Sequence, residues 1–315
     1  KNSKLFTQNN IYSSFSSAEE SFSFHFDNSL GGKNIANVFS VTYSVFGDAK
    51  MGKKRRHGYS EWGLVNNIIE GDVMTENPDP NIQVGTGYSQ LDFLNKTVFK
   101  IKSNSVLKFN SQFSTSSNIP RYDNLQDYDE DLLKWAEWSY GPQTRFFNSI
   151  SFNNYKTCFF YDNIKTSLTY QFLEEDRITR KYLDENYSNT YVDVHVYNAN
   201  IDLIKNNFLY GVEYLHNDVF SVATENTQPR YPSGGSMMNT LAFYGSFEKK
   251  IKKNIFFNVG SRFSSSKVDL SFNESDPVFV VKNIKKTNES VNGNASLLFV
   301  PNETNKFSFV ASRGF

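Results

Sequence analysis

The 315 residues carry 33 Lys+Arg against 33 Asp+Glu, so the basic excess that a nucleic-acid partner requires is missing. Aromatics reach 16% with only 8 Pro, which favours strands over helices, and no apolar run approaches the roughly 18 residues of a membrane-crossing helix. Cys158 is the single cysteine, which excludes an intrachain disulfide or a cysteine metal cluster and leaves a small, half-buried apolar side chain as its reading.

The chain opens on Lys1-Asn2-Ser3-Lys4, without initiator methionine or export signal, so a mature protein or a fragment is expected. Apolar and polar residues then alternate in segment after segment. Phe22, Phe24 and Phe26 alternate with Ser23, His25 and Asp27 before a turn at Gly31–Asn34, and a long polar loop occupies 47–86. A turn at Lys102–Asn104 precedes Leu107, Phe109 and Phe113, which alternate with Lys108, Asn110 and Gln112, and a second long loop runs over 118–144. Beyond a connection at Asn153–Asn163, Leu168, Tyr170 and Phe172 oppose Thr169 and Gln171, and Val192, Val194 and Val196 oppose Asp193 and His195. After the turn Lys205–Asn207, Tyr210, Val212 and Tyr214 oppose Gly211 and Glu213. Polar loops at 224–240 and 273–290 then bracket the turn Lys252–Asn254, and Pro301–Asn305 leads into Phe307 and Phe309 opposing Ser308.

About 13 strands of roughly 9 to 14 residues follow from this pattern, a length suited to a tilted bilayer crossing. The connections alternate between short and long, the layout of an antiparallel transmembrane β-barrel with short periplasmic turns and long outer loops. Two connections fit this less well: Asn153–Asn163 is long for a periplasmic turn, and Ser17–Glu20 is short for an outer loop. A mean hydropathy of −0.52 suits such a barrel, whose strands are apolar only at every second position. A closed bacterial barrel has an even strand number, and Lys306–Phe315 reads as a strand that stops with the chain, so an incomplete barrel is expected. Unpaired edges cannot persist in lipid, so this chain alone should form no stable pore. Two other readings stand beside it: a β-sandwich surface adhesin whose aromatic loops bind glycan, and an outer-membrane lipase. The sandwich requires the apolar faces of two sheets to turn together; the lipase requires a Ser-His-acid constellation.

Three stretches carry a family resemblance. Ser312-Arg313-Gly314-Phe315 resembles the start of the Gly-Phe-Arg-Ala-Pro segment of TonB-dependent receptors of Bacteroidetes-type bacteria. Ser114–Leu125 together with Trp138–Gln143 is similar to the third outer loop of receptors for haem or iron complexes, and Phe46-Gly47-Asp48, Met51-Gly52 and His57-Gly58-Tyr59 are similar to their second. The resemblance spans nearly the whole chain. It implies that residues 1–315 are part of a barrel of about 22 strands filled by a plug, with plug and TonB-contacting box absent from these residues and about nine strands to follow. It also implies an outer-membrane receptor importing haem or a ferric siderophore with TonB-supplied energy, surrounded by lipid and lipopolysaccharide. The histidines that would grip haem in such receptors fall outside the chain.

Candidate contacts lie on the outer loops. His57, beside Lys53, Lys54, Arg55 and Arg56, could hold an anionic ligand, meet lipopolysaccharide phosphate, or simply be solvated. Arg121, Tyr122, Trp135, Trp138 and Tyr140 combine a guanidinium with aromatic surface, suited to a flat charged ligand or to packing within a loop that Pro120 and Pro142 stiffen. Arg230 and Tyr231, followed by Met237-Met238, offer a similar mixture. His25 and His195 are expected to line the barrel interior and His216 to lie near the top of a strand. Glu174-Glu175-Asp176-Arg177 reads as a polar rim where a strand leaves the membrane, because neighbouring side chains of a strand point oppositely. Gly85-Thr86-Gly87 is too short for a phosphate loop, and nothing in the sequence calls for an enzyme, a cofactor or a resident metal.

Overall fold

The structure, a computed structural model, describes residues 5–225, 227–273 and 283–314. Thirteen strands form one antiparallel sheet in chain order: β1 (Phe6–Ser16), β2 (Ser21–Gly31), β3 (Ile35–Phe46), β4 (Tyr88–Lys102), β5 (Ser105–Ser116), β6 (Trp135–Asn154) and β7 (Asn163–Lys181). They continue with β8 (Ser188–Lys205), β9 (Phe208–Ala223), β10 (Ser236–Lys252), β11 (Ile255–Ser271), β12 (Asn283–Phe299) and β13 (Phe307–Arg313). Each strand pairs with its sequence neighbours, while among the described residues β1 pairs only with β2 and β13 only with β12, so the sheet is open there, as expected of an incomplete barrel.

All five anticipated short turns join strands at one end of the sheet. In the two-residue turn between β8 and β9, Asn206 takes φ 51°, a left-handed conformation asparagine tolerates. The eight-residue connection Tyr155–Asp162 lies at the same end, and Ser17–Glu20 and the long loops lie at the other. The loop after β11 contains residues 274–282, outside the described set. Strand length departs from expectation: β6 to β12 run 16 to 20 residues. A tilted crossing needs only about 9–11, so these strands continue well past the crossing towards the long loops.

Cross-strand register divides the sheet into two faces. Phe113 of β5 stands opposite Phe93 and Phe146, Phe146 opposite Phe172, and Tyr214 opposite Leu241 and Ala199, so one apolar face runs unbroken across the strands. The other face carries Lys108, Asn110 and Gln112 of β5, Thr169 and Gln171 of β7, and Asn198, Asn200 and Asp202 of β8. Its polar groups satisfy one another: Tyr244 donates to Asp202 and accepts from Asn200, Arg262 reaches Glu213 at 2.7 Å, and His25 bonds Thr42 at 2.6 Å.

Among the described residues no second layer covers the apolar face, and no sandwich is seen. Leu168 is 54% exposed and Phe309 68%, whereas the buried hydrophobics among the described residues are Val65, Ile68, Leu133, Trp138, Val192 and Ala242. A compact water-soluble monomer of 36.2 kDa would expose about 13,000 Å²; this chain exposes 20249 Å². Side chains so placed gain their transfer energy only if an apolar surface from outside this sheet covers them.

Two histidine assignments are corrected. His195 lies on the apolar face, opposite Phe172 at 5.1 Å between ring centroids and bonded to the Tyr170 hydroxyl at 3.0 Å. The inward residues of that segment are Val192, Val194 and Val196. His216 sits midway along β9 on the apolar face, bonded to Asn239 at 2.7 Å.

The loop after β3 has its own scaffold. One Asp48 carboxylate oxygen accepts from the backbone N–H groups of Gly85, Thr86 and Gly87 at 2.8–2.9 Å, which gives Gly85-Thr86-Gly87 its role. Gly47 has no room for a side chain, since a Cβ there would lie 2.6 Å from the Glu19 carbonyl oxygen. Farther out, the Asp79 carboxyl is held well below its usual range by Asn81 and then Lys50. Asp48→Ala strands three donors and is expected to cost about 3 kcal/mol locally. Limited proteolysis should then cut within 47–87 faster than in the parent, and equal cutting rates would remove Asp48 as the loop's anchor.

Candidate functional site

The candidate site is built on the polar face where β6 and β7 rise beyond the crossing. Ile119 and Pro120 pair with Tyr140 and Ser139 on the extension of β6, and the Arg121 N–H donates to the Trp138 carbonyl at 2.8 Å. This backbone pairing carries Arg121 to Trp138, its guanidinium carbon 4.7 Å from the indole centroid. Trp138 and Tyr140 meet edge to face at 4.9 Å, and Arg121 reaches the Tyr140 hydroxyl at 3.4 Å. The expected loop 118–144 therefore ends earlier: Trp138 and Tyr140 belong to a strand.

A residue absent from the sequence-based candidates completes the cluster. Arg177 pairs with Tyr140 across the strands, so its guanidinium lies over both rings, 5.3 Å from Trp138 and 5.8 Å from Tyr140. Trp138, 6% exposed, thus has two guanidinium groups over its ring. The Arg177 Nε is buried without a hydrogen-bond partner, whereas Arg121 is tied to Asp123 at 3.0 Å and holds that carboxyl below its usual range. Among the described residues no carboxylate is paired with Arg177, whereas Arg121 has Asp123. The one sequence signal for it was its alternation with Glu175 along β7.

Glu175 connects this cluster to the next loop. It accepts from Gln143 at 3.0 Å and pairs with Arg230 at 2.6 Å, bringing Arg230 and Tyr231 to a cavity of about 480 Å³ below the rings. Arg145, Leu173, Val192 and Val194 also line it, and Arg145 touches Gln112 and Gln171 at 3.4 Å each. Cations, the carboxylates of Asp92 and Glu175 and an apolar wall therefore share one chamber. β7 continues beyond the stretch Glu174–Arg177 to Lys181, and its acids diverge as anticipated, Glu175 to the polar face and Glu174 to the other.

The remaining candidates stay apart. Tyr122 turns towards the neighbouring loop, where it hydrogen-bonds Gln83 and burial raises its phenol pKa. His57 stacks on Tyr59 at 5.8 Å and meets Trp62 at 5.6 Å, packing within its own loop. Lys53, Lys54 and Arg56 are exposed, while Arg55 is tied to Asn81. Trp135 begins β6 with its indole nitrogen buried and unpartnered. Met237 and Met238 stand on β10, pointing to opposite faces. Arg313 ends β13 opposite Gly293, Gly314 follows it, and Phe315 lies outside the described residues.

No family model matches this sequence, and no curated protein does. Solved structures do match its fold. The copper transporter OprC superposes with a TM-score of 0.71 at 8% identity, over 99% of this chain and 46% of its own. The FrpB iron transporter from Neisseria meningitidis (F3-3 variant) gives 0.63 at 12% identity, over 98% and 45%. The ferric yersiniabactin uptake receptor FyuA from Yersinia pestis gives 0.60 at 12%, over 98% and 47%. The chain spans about half the length of these structures. Its thirteen strands have the fold of consecutive strands in the barrel wall of outer-membrane uptake receptors.

Proposed function

We propose that residues 1–315 form part of the barrel of a TonB-dependent outer-membrane receptor of Bacteroidetes type. It captures a scarce extracellular iron complex, a ferric siderophore or haem, and imports it with TonB-supplied energy passed through a plug domain. The observation that carries this reading is the cluster of Arg121, Trp138, Tyr140 and Arg177 at the outer end of the polar face, above the chamber of Arg145, Arg230 and Tyr231. Guanidinium groups meet carboxylates or phenolates of a chelate, and the rings cover its flat body. The copper, iron and ferric-yersiniabactin transporters of like fold support metal-complex cargo, and as transport receptors they lend no support to catalysis. The Bacteroidetes and haem assignments rest on the loop resemblances alone. The exposure and charge of Lys53, Lys54 and Arg56 suit a contact with lipopolysaccharide phosphate.

Haem and a panel of ferric siderophores are to be titrated into the full-length receptor. Arg177→Ala is expected to weaken binding of the cognate complex by about 10–100-fold, the scale of one charge-assisted contact, and Arg121→Ala by less because Asp123 already occupies it. Unchanged affinity in both variants would remove the cluster from the site.

A further inference from the structure

The connection Tyr155–Asp162 between β6 and β7 differs in chemistry from the other turns at its end of the sheet. Those turns are built from polar residues such as Ser103-Asn104, Asn206-Asn207 and Lys253-Asn254. This one presents Phe159 at 88% exposure, Phe160 at 66% and Tyr155 at 54%. It is nonetheless held firmly. Lys205 Nζ donates to the Cys158 carbonyl and to Asp162, each at 2.9 Å, the Asn206 N–H donates to Asp162 at 2.9 Å, and the Tyr210 hydroxyl donates to the Phe160 carbonyl.

The holding side chains give the direction in which the turn leans. Lys205 follows Ile201 and Leu203 in the two-residue period of β8, and Tyr210 stands opposite Leu203, so both project from the apolar face. Their carbonyl partners must lie on that side too. Phe208 and Phe247 occupy the same face at the same end, 4.7 Å apart. The turn is therefore folded outwards over the apolar face, where it extends an aromatic rim, with exposed Lys156 beside it.

We propose that Tyr155–Asp162 is an interfacial anchor, with Phe159 and Phe160 entering the headgroup boundary of the phospholipid leaflet at the short-turn end. Aromatic side chains favour that boundary, and Lys156 suits anionic headgroups. A phospholipid surface, rather than a periplasmic protein, is the occupant because the turn leans to the face that the membrane already covers. The inference rests on the reading of the sheet as a membrane barrel wall.

The test uses the full-length receptor in phosphatidylethanolamine/phosphatidylglycerol vesicles with and without brominated acyl chains. Phe159→Trp changes a side chain that is almost wholly exposed, so folding is preserved, and the emission added over the parent reports its surroundings. Leu168→Trp, on the apolar face, serves as the reference. The inference expects added emission at position 159 that is blue-shifted, quenched by brominated lipid and shielded from iodide, and a return to iodide accessibility in Phe159→Trp/Phe160→Ser. Quenching at 168 with none at 159 overturns the anchor while leaving the wall in lipid. Absence of lipid quenching at both positions overturns the membrane reading as well.

Discussion

Trp138→Ala is expected to cost the outer end of the wall roughly 3–5 kcal/mol, the range for removing a buried tryptophan, and to abolish tight capture of the cargo. Its indole is 6% exposed and lies under the guanidinium groups of Arg121 and Arg177, so truncation opens a void and removes the ring that both cations cover. The Arg121 backbone stays paired with the Trp138 carbonyl in the variant, so the damage concentrates in side-chain order. Trp138→Phe keeps an aromatic face of smaller area and should recover a good part of both losses. Hydrogen exchange over 117–134 reads the local stability, and titration with the iron complex reads the capture. Parent-like protection together with parent-like affinity in Trp138→Ala would show that the stack serves neither purpose.

The second large effect separates adjacent residues. Leu168 and Thr169 are neighbours on β7, yet Leu168 stands opposite Ile150 on the apolar face and Thr169 opposite Ser149 on the polar one. An arginine on the lipid side of a barrel costs about 2–4 kcal/mol near the bilayer centre, while one in the lumen is solvated. Leu168→Arg should therefore sharply reduce folded receptor in outer membranes, measured as the heat-modifiable band on gels. Thr169→Arg should leave it near the parent level. Equal yields of the two variants would contradict the face assignment.

Much of the wall was legible in the sequence because a strand's period of two exposes its pattern directly. The alternation of Phe22, Phe24 and Phe26 or of Leu168, Tyr170 and Phe172 needs no partner to be read, and Asn-rich pairs mark turns by their tolerance of left-handed backbone. Which face is which is a different matter. In β8 the residues facing the chamber are Val192 and Val194, with Val196 on the same face, so hydropathy alone inverts the segment and places His195 inside; register against Phe172 is what corrects it. The site was legible in part. Composition drew attention to Arg121, Trp138 and Tyr140, but Arg177 enters through pairing across strands, and Tyr122 is drawn off by Gln83 in another loop. Contacts set by register or by loop-to-loop packing have no local signature. The length of β6 was missed because Gly141 and Pro142, which read as loop residues, fall at a register shift between Tyr140 and Gln143 while the strand continues beyond.

Cysteine scanning of Ile164–Phe172 in the reconstituted full-length receptor, with nitroxide labels probed by oxygen and by a water-soluble nickel chelate, examines the apolar face residue by residue. Lipid contact predicts a two-residue period, with labels at 166, 168, 170 and 172 oxygen-rich and shielded from nickel, and those at 165, 167, 169 and 171 out of phase. Nickel accessibility at 168 and 170 equal to that at 169 and 171 would mean that water or protein covers that face, and the barrel account would fall.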